Sequence, residues 1–414
     1  MEINRRFFMQ HGALALAGTA AIPEFLIRSV MAETAGVRRQ RMVVVFQRGA
    51  VDGLNLVVPY GEKNYYQMRP GIAIPEKQVI DLDGFFGLHP SLAELKTLYD
   101  QKHLAVIHAV GSSDTTRSHF DAQDFMESGT PGVKSTTDGW LNRALQNEDL
   151  HRPMQHTAFR ALVLGSEVPR TLAGKIPAIA VNNVNNFSVA GHGPTPSPAA
   201  SAFESMYSGS GDSIFHPAGT ETFDAVRMLR AANPAQYIPA AGVEYPNSEF
   251  GNRMKQIAQL FKANLGVETA FTDVSGWDTH ENQGGVNGQL SDRLRDFSTS
   301  IAAFWRDLGS SAENVTLVTM SEFGRTAREN GTGGTDHGHA NVMLVLGGSV
   351  KGGKVYGRWP GLEEEQLNEG RDLALTTDFR LVLGELLSRN LGARSMELVF
   401  PGANLVPAHF LKLV

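Results

Sequence analysis

The chain has no cysteine among its 414 residues, which excludes disulfide bonds and thiolate metal ligands. It also has no basic excess, because 37 Lys and Arg against 43 Asp and Glu give a formal net charge of −6. A nucleic-acid partner is therefore not expected. Long blocks of like charge, which would suggest a disordered tail, are missing as well. What remains is an ordinary globular composition with 42% hydrophobic residues, enough for one large or two medium domains.

The N-terminus predicts a twin-arginine export signal over residues 1–32. Arg5 and Arg6 precede Phe8, a short apolar stretch follows, and "SVMAETA" supplies small residues for a peptidase. The apolar stretch is too short and too rich in glycine to span a membrane, so no span is expected in the mature chain. The alternative is an amphipathic N-terminal helix, and retention of the signal as an anchor stays open. This interpretation places the protein in the periplasm or outside the cell.

Apolar strand patterns and helical patterns alternate along the rest of the chain, as in βαβ units of a parallel sheet. Helical spacing is expected over 89–102, 252–266, 290–309 and 378–392, and strand patterns over 43–47, 103–111, 267–275, 314–324 and 341–348. Residues 145–245 are poor in periodic signal and rich in Gly, Ser, Pro and Ala. We therefore predict an α/β fold: one domain over 40–414, a three-layer sandwich with a central, mostly parallel sheet and an irregular insertion at about 145–245.

Potential metal ligands follow the predicted strands. Asp52 follows the first strand, "SSDTTRSHFDAQD" the second, "GWDTHENQ" a third and "SEFGR" a fourth, while "GGTDHGHAN" precedes the strand at 341–348. Because ligands of such folds bind beyond the carboxyl ends of the strands, these distant segments are expected to converge on one edge of the sheet.

One D-x-H pair and one H-x-H pair could each hold one ion. If the chain is extended there, Asp278 and His280 face the same side, and so do His337 and His339. With Asp and His donors and no cysteine, the set suits Zn²⁺, Mn²⁺ or Ni²⁺, while an all-oxygen set would suit Mg²⁺ or Ca²⁺. One or two ions are expected, with Zn²⁺ favoured. The predicted ligands are Asp52, Asp278, His280, Asp336, His337 and His339.

Plainer interpretations stay open for these residues. Asp and His are also good turn and cap residues, and His89, His103 and His108 are expected to be caps or core residues rather than ligands. "HENQG" does not form an H-E-x-x-H motif, because Gly284 stands where the second histidine would be.

The best candidate for a nucleophile lies in "DTTRSHFDAQDFMESG" (114–129). Ser118, or else Thr115 or Thr116, is expected near a helix start, where free N–H groups favour an anion, and Arg117 could clamp an ester oxygen. The alternative is that Ser118 only caps the helix. No G-x-S-x-G elbow and no P-loop occur.

A further pair of candidates lies in "SEFGR". Glu322 and Arg325 could support the ligands or bind substrate, with a buried structural ion pair as the alternative.

The motifs together resemble one bacterial family. The twin-arginine start, "VVVFQRGAVDGLNLVVPYG", "RSHFDAQDFMESG", "WDTHENQGG" and "TMSEFGRTARENGTGGTDHGHAN" are similar to the exported family known as domain of unknown function 1501. That family is usually grouped with the alkaline phosphatase and sulfatase superfamily. The resemblance covers nearly all of the mature chain and implies an alkaline-phosphatase-like fold with a bimetal site and a Ser, Thr or Cys nucleophile at a helix start.

The chain departs from this superfamily at one position. Relatives carry Ser-Asp-His-Gly after the strand that ends near 320, whereas this chain has Glu322 and Phe323 there, and phenylalanine cannot bind a metal. Either Asp336 and His337 replace the missing ligands or one metal site is lost. The Cys or Ser followed by x-Pro-x-Arg of formylglycine sulfatases is also absent.

The sequence thus predicts an exported, metal-dependent hydrolase that acts on a small anionic substrate, a phosphate or sulfate ester, with a Ser or Thr nucleophile. The alternative is a catalytically inactive envelope protein of the same fold that binds a partner or a glycan. Phe323 is the main support for that alternative.

Overall fold

The computed structural model describes residues 40–151, 156–184 and 236–414, together with Met228. The predicted signal at 1–32 lies outside these residues, as does much of the expected insertion. None of the helices in the described part is long and apolar enough to cross a membrane.

Most strands of the described residues form one large sheet. In chain order the strands are β1 (Arg41–Arg48), β2 (Val57–Val58), β3 (Ile80–Asp81), β4 (Gly87–Leu88), β5 (Leu104–Gly111), β6 (Ala161–Leu164), β7 (Ile179–Val181), β8 (Thr269–Ser275), β9 (Val315–Met320), β10 (Asn341–Gly347), β11 (Lys354–Tyr356) and β12 (Thr377–Asp378). Within the described residues the large sheet has nine strands in the order β11-β5-β10-β9-β1-β8-β6-β7, with β12 beside β5. The short strands β2, β4 and β3 form a separate antiparallel sheet.

The helices of the described residues cover both faces of the large sheet. They are α1 (Gly53–Leu56), α2 (Lys63–Met68), α3 (Ala93–Asp100), α4 (His119–Ser128), α5 (Trp140–His151), α6 (Glu249–Lys262), α7 (Gln289–Leu308), α8 (Phe379–Asn390) and α9 (Met396–Val399). Leucines and isoleucines of α3, α6 and α7 pack on one face, and apolar residues of α5, α8 and α9 on the other.

Strand β1 lies at the centre of this sandwich, which explains its uninterrupted apolar sequence. Val43 and Val45 point into one core, while Val44 and Phe46 point into the other, as the alternation of side chains along a strand requires. The predicted three-layer α/β class with a mostly parallel sheet is confirmed.

Strand β10 is the exception to the parallel order. It runs antiparallel to both β5 and β9, whereas β1 is parallel to β8 and β9. Its first residue, Asn341, therefore lies opposite Val110 near the end of β5. This reversal brings the loop before β10 to the same edge as the carboxyl ends of the other strands.

Part of the expected insertion belongs to the sheet instead. Strands β6 and β7 pair with each other, and β6 pairs with β8, so residues 161–181 extend the sheet at one end. The apolar run of β6 is only four residues long, too short to show a period in the sequence.

Candidate metal centre

Three histidines and one aspartate converge at the carboxyl edge of the sheet. The Nε2 atom of His337 lies 3.0 Å from Nε2 of His119, 3.0 Å from Nε2 of His280 and 3.2 Å from Oδ1 of Asp278. The Asp278 carboxylate also lies 3.0 Å from Nε2 of His280 and 3.5 Å from Nε2 of His119. In a tetrahedral zinc site, bonds of 2.0–2.1 Å would place ligand nitrogens about 3.3 Å apart.

The other ring nitrogen of each histidine faces an atom that can only accept a hydrogen bond. Nδ1 of His119 donates to Glu322 at 2.8 Å, and Nδ1 of His280 donates to Asp336 at 3.0 Å. Nδ1 of His337 donates to the Arg117 carbonyl at 2.8 Å. Each neutral ring therefore has its hydrogen on Nδ1 and a lone pair on Nε2, which is how metal-binding histidines are held.

This arrangement fits a divalent cation. The Nε2 lone pair of His337 lies within hydrogen-bond distance of those of His119 and His280, and without a proton or a cation between them these lone pairs repel. His119, Asp278 and His337 alone bring three donor atoms within 4.8 Å of one another. Imidazole nitrogens with one carboxylate are typical ligands of Zn²⁺ and of other first-row metals.

Electrostatics keep the carboxylates of the cluster ionised. Burial raises the pKa of Asp278, but the guanidinium of Arg325 outweighs it, so the pKa lies below its ordinary value. Burial also raises the pKa of Glu322. The hydrogen bonds that Glu322 accepts, the strongest from His119, outweigh burial, so its pKa lies below the ordinary value. The Glu322 hydrogen bond raises the pKa of His119, while burial lowers that of His337.

Glu322 is a buried acceptor with several donors around it. Besides His119, it accepts from the Gln123 side chain at 2.9 Å, the Gly49 backbone N–H at 2.8 Å and the Ser321 hydroxyl at 3.1 Å. Gly49 has a φ of +111°, and a Cβ there would lie 2.9 Å from the backbone nitrogen of Asp278. Only glycine lets the end of β1 approach the ligand loop this closely.

Phe323 forms a wall of the cluster. Its ring centroid lies 4.9 Å from that of His119 and 5.0 Å from that of His337, and its side chain is buried. The loop before β10 and the start of α4 bring His337 and His119 to this place. Four donors therefore meet here without a ligand from position 323.

The structure brings together some of the predicted ligands and separates others. Asp278, His280 and His337 meet in the cluster. Asp336 lies one hydrogen bond further out, because its Oδ1 accepts from His280 and from Asn330. Two further predicted ligands, Asp52 and His339, lie elsewhere.

Asp52 is part of a buried ion pair instead. Its Oδ2 accepts from Arg69 at 2.6 Å and from the Gln283 side chain at 2.7 Å, and both charged side chains are at most 1% exposed. A carboxylate oxygen engaged by a guanidinium in this way is not directed at the cluster.

His339 is buried and points to another set of charges. Burial is the largest influence on the pKa of His339 and lowers it. The charges that act most strongly on the ring are those of Asp372 and Arg117. It follows His337 by two residues, but Gly338 lies against Arg325 and the backbone there pairs with Arg325 rather than continuing as a strand.

Ser118 and Arg117 lie beside the cluster in different roles. Ser118 is the exposed N-cap of α4, and its hydroxyl accepts a 3.5 Å hydrogen bond from the Asp121 N–H. The Arg117 guanidinium is paired with Glu369 and Asp372, both at 2.7 Å, and its carbonyl holds His337.

Sequence reasoning missed His119 as a member of this cluster. It lies in the segment after β5 that was expected to carry a nucleophile, directly after Ser118. The signal was present, since a histidine in the first turn of a helix after a buried strand lies at the same edge as the other ligands.

The fold and the cluster define an α/β protein with a candidate metal centre at the carboxyl edge of its sheet. The chain belongs to the family described as Protein of unknown function (DUF1501), whose profile matches residues 39–399. The family membership expected from the motifs is confirmed. No curated protein matches the chain.

Solved structures similar to the chain include three with low identity. PsFucS1 sulfatase from Pseudoalteromonas sp. is 13% identical with a TM-score of 0.38, over 93% of this chain and 75% of that one. The C-terminal periplasmic domain of EcEptC from Escherichia coli, in complex with Zn, is 12% identical with a TM-score of 0.35, over 76% and 75%. Wild-type alkaline phosphatase PafA is 10% identical with a TM-score of 0.35, over 70% and 64%. Similarity at this level bears on neither activity nor substrate.

Proposed function

We propose that the protein is an exported, metal-dependent hydrolase of phosphate or sulfate esters. The observation that carries this proposal is the convergence of three histidine Nε2 atoms on the Asp278 carboxylate, each ring fixed by an acceptor at Nδ1. Export follows from the twin-arginine pattern at 1–32, a prediction from the sequence alone.

The residues of the cluster support the binding of one divalent ion. His119, Asp278 and His337 bring their donor atoms within 4.8 Å of one another, and His280, whose Nε2 lies 3.0 Å from that of His337, is the fourth proposed ligand. The nitrogen-rich set favours Zn²⁺. When bound, such an ion supplies positive charge to the non-bridging oxygens of an ester and lowers the pKa of an attacking hydroxyl.

The cluster is accessible to a substrate. The side chains of Asp278 and His280 are 42% and 40% exposed, so an ester group can reach them from solvent. The first N–H groups of α4 and the buried cation of Arg325 add positive potential at the same edge. An anionic group is favoured there.

Ser118 is the proposed nucleophile. Its exposed hydroxyl precedes His119 directly, and its cap hydrogen bond is long. Its Oγ forms a bond to phosphorus or sulfur while the alcohol of the ester leaves, and water then hydrolyses the seryl ester. Arg117 contributes through its carbonyl, which positions His337, since its guanidinium is held by two carboxylates.

The alternative of an inactive binding protein has lost its main support. It depended on Phe323 in place of a ligand, yet Phe323 packs against His119 and His337, which supply donors of their own. A binding function without hydrolysis becomes an outcome of the test below.

The test is hydrolysis of p-nitrophenyl phosphate and p-nitrophenyl sulfate by the full chain loaded with Zn²⁺ or Mn²⁺. We expect activity in the wild type, with a loss of about 100-fold or more in His337→Ala and in Ser118→Ala. Ser113→Ala, an exposed serine in the same loop, is the matched control and should keep wild-type activity.

Two results contradict parts of the proposal. Equal activity of Ser118→Ala and Ser113→Ala would remove Ser118 as the nucleophile and leave direct attack by water. A metal-loaded wild type that hydrolyses neither ester would favour the binding protein.

A further inference from the structure

A cavity lies on the same edge of the sheet as the candidate metal centre. Its volume is about 510 Å³, within the range of small-molecule sites, and it is lined at the ends of β1, β8 and β6. Arg48 lines the cavity and donates to Gln123 at 2.9 Å, and Gln123 donates to Glu322, which holds His119. Ser275, the last residue of β8, lines the cavity, and Asp278 of the cluster follows it by three residues, so both adjoin the end of the same strand.

Most charges of the cavity already have partners. Arg48 pairs with Asp273 at 2.7 Å and with Glu127 at 2.9 Å, and Arg253 pairs with Asp273 and Glu249, both at 2.6 Å. These two arginines and three carboxylates present fixed donors and acceptors at the wall and carry a formal net charge of −1, which does not attract an anion.

Asp296 accepts from the Ser248 hydroxyl at 2.6 Å, which leaves two charged lining residues with neither an ion pair nor a side-chain hydrogen bond among the described residues. Arg293 and Glu167 both line the cavity, both are exposed, and neither forms an ion pair in the part of the chain that the structure describes. The Arg293 guanidinium lies over Gly276, where a Cβ would come within 2.2 Å of it. Gly276 thus leaves the space that the guanidinium occupies, two residues before the ligand Asp278.

The chemistry of the lining selects a neutral, hydrogen-bonding group. An anion would meet the carboxylates of Glu167, Glu249, Asp273 and Asp296, and an apolar group would desolvate them without compensation. A group with several hydroxyls can accept from arginine and donate to carboxylates at the same time. The hydroxyls of Ser166, Ser248 and Ser275 extend the same surface.

We infer that this cavity binds a polyhydroxylated part of the substrate, with Arg293 and Glu167 as residues that determine specificity. This inference rests on the proposed function, because it places the alcohol portion of the ester here while the anionic group reaches the metal centre.

The experiment compares two esters on the metal-loaded full chain. The sugar of glucose 6-phosphate can reach the cavity, whereas p-nitrophenyl phosphate has no hydroxyls to bind there. Glucose 6-sulfate and p-nitrophenyl sulfate allow the same comparison for sulfate esters. The kcat/KM for glucose 6-phosphate divided by that for p-nitrophenyl phosphate should fall about 10-fold or more in Arg293→Ala and in Glu167→Gln. Each variant removes hydrogen bonds between the sugar hydroxyls and a charged side chain. Arg295→Ala removes the same charge from the exposed side of α7, away from the cavity, and should keep the wild-type ratio.

Each result bears on one of the two proposals. Hydrolysis with an unchanged ratio in all variants overturns the cavity inference and leaves the proposed function standing. Absence of hydrolysis overturns the proposed function, and ligand-observed NMR with glucose 6-phosphate then decides on the cavity. A binding signal that weakens in Arg293→Ala but not in Arg295→Ala supports the inference, while equal signals or no binding overturn it.

Discussion

Glu322 organises the candidate metal centre at the scale of a single residue. It is buried, and it accepts hydrogen bonds from His119, Gln123 and the Gly49 N–H. A carboxylate with donors on every side fixes both the orientation and the tautomer of the histidine that it holds. The affinity of the site for metal therefore depends on a residue that does not itself face the other ligands.

Replacing Glu322 by Gln should weaken metal binding. The amide oxygen can still accept from His119 Nδ1 and the Gly49 N–H, which both reach the same oxygen of Glu322, but it is neutral and holds the imidazole less strongly than a carboxylate does. We expect the dissociation constant for Zn²⁺ to rise about 10–100-fold, measured by competition with a chromophoric chelator. Glu94→Gln, an exposed carboxylate that pairs with Arg306, is the control and should bind as the wild type does. An unchanged affinity in Glu322→Gln would contradict the role given to this residue.

The sequence predicts the residue types of this centre better than their partners. Asp278, His280 and His337 could be predicted because short D-x-H and D-H motifs at strand ends are local features. Asp52 could not be separated from them, since its partner Arg69 follows α2, a segment with no visible link to the site. The position of His119 after a buried strand indicated the same edge, but it has no D-x-H or H-x-H spacing, and its segment was interpreted as the carrier of a nucleophile.

At the scale of elements, a buried side-chain network holds the ligand loops together. Gln283 donates to Asp52 and accepts from the hydroxyls of Thr279 at 2.7 Å and Thr335 at 2.8 Å. Thr279 lies between Asp278 and His280, and Thr335 precedes Asp336. Arg69, which pairs with Asp52, also donates to two carbonyls of the loop after β9. The network thus links three segments that are far apart in sequence.

Replacing Asp52 by Ala should destabilise the fold without removing the ion. Arg69 is 0% exposed, and an unpaired buried guanidinium costs about 3–5 kcal/mol in the free energy of unfolding. Urea unfolding measures this loss, and Asp100→Ala, which breaks an exposed pair with Lys96, should cost at most about 1 kcal/mol. Loss of the bound ion from Asp52→Ala at near-wild-type stability would make Asp52 a ligand after all.

The order of strands could be anticipated only in part. The run of β1 is apolar on both faces and indicates a central strand. The reversal of β10 and the pairing of β6 with β8 depend on contacts between distant segments, which a single sequence does not display.

At the scale of the whole molecule, the buried His108 links stability to pH. Its Nε2 donates to the Val57 carbonyl and its Nδ1 accepts from the Ala109 N–H, so the ring is neutral. Burial lowers the pKa of His108 from 6.5 to about 4. Between these values the unfolded chain binds a proton that the folded chain does not, so stability is complete above pH 6.5 and falls as the pH drops toward 4.

The contribution of His108 can be isolated with His108→Gln. For the metal-free protein, the wild type should lose on the order of 3 kcal/mol more than the variant between pH 6.5 and 4, measured by urea unfolding at several pH values. Parallel pH profiles of the two proteins would show that His108 does not titrate in this way.

The metal content of the folded chain tests the central claim most directly. The protein is stripped of metal by a chelator, reloaded with Zn²⁺ or Mn²⁺ and dialysed. Its metal content is then measured by inductively coupled plasma mass spectrometry. The wild type and His409→Ala, an exposed histidine far along the chain, should retain about one ion per chain, and His119→Ala less than about a tenth of that. A wild type without bound metal, or a His119→Ala variant that keeps its ion, would contradict the account.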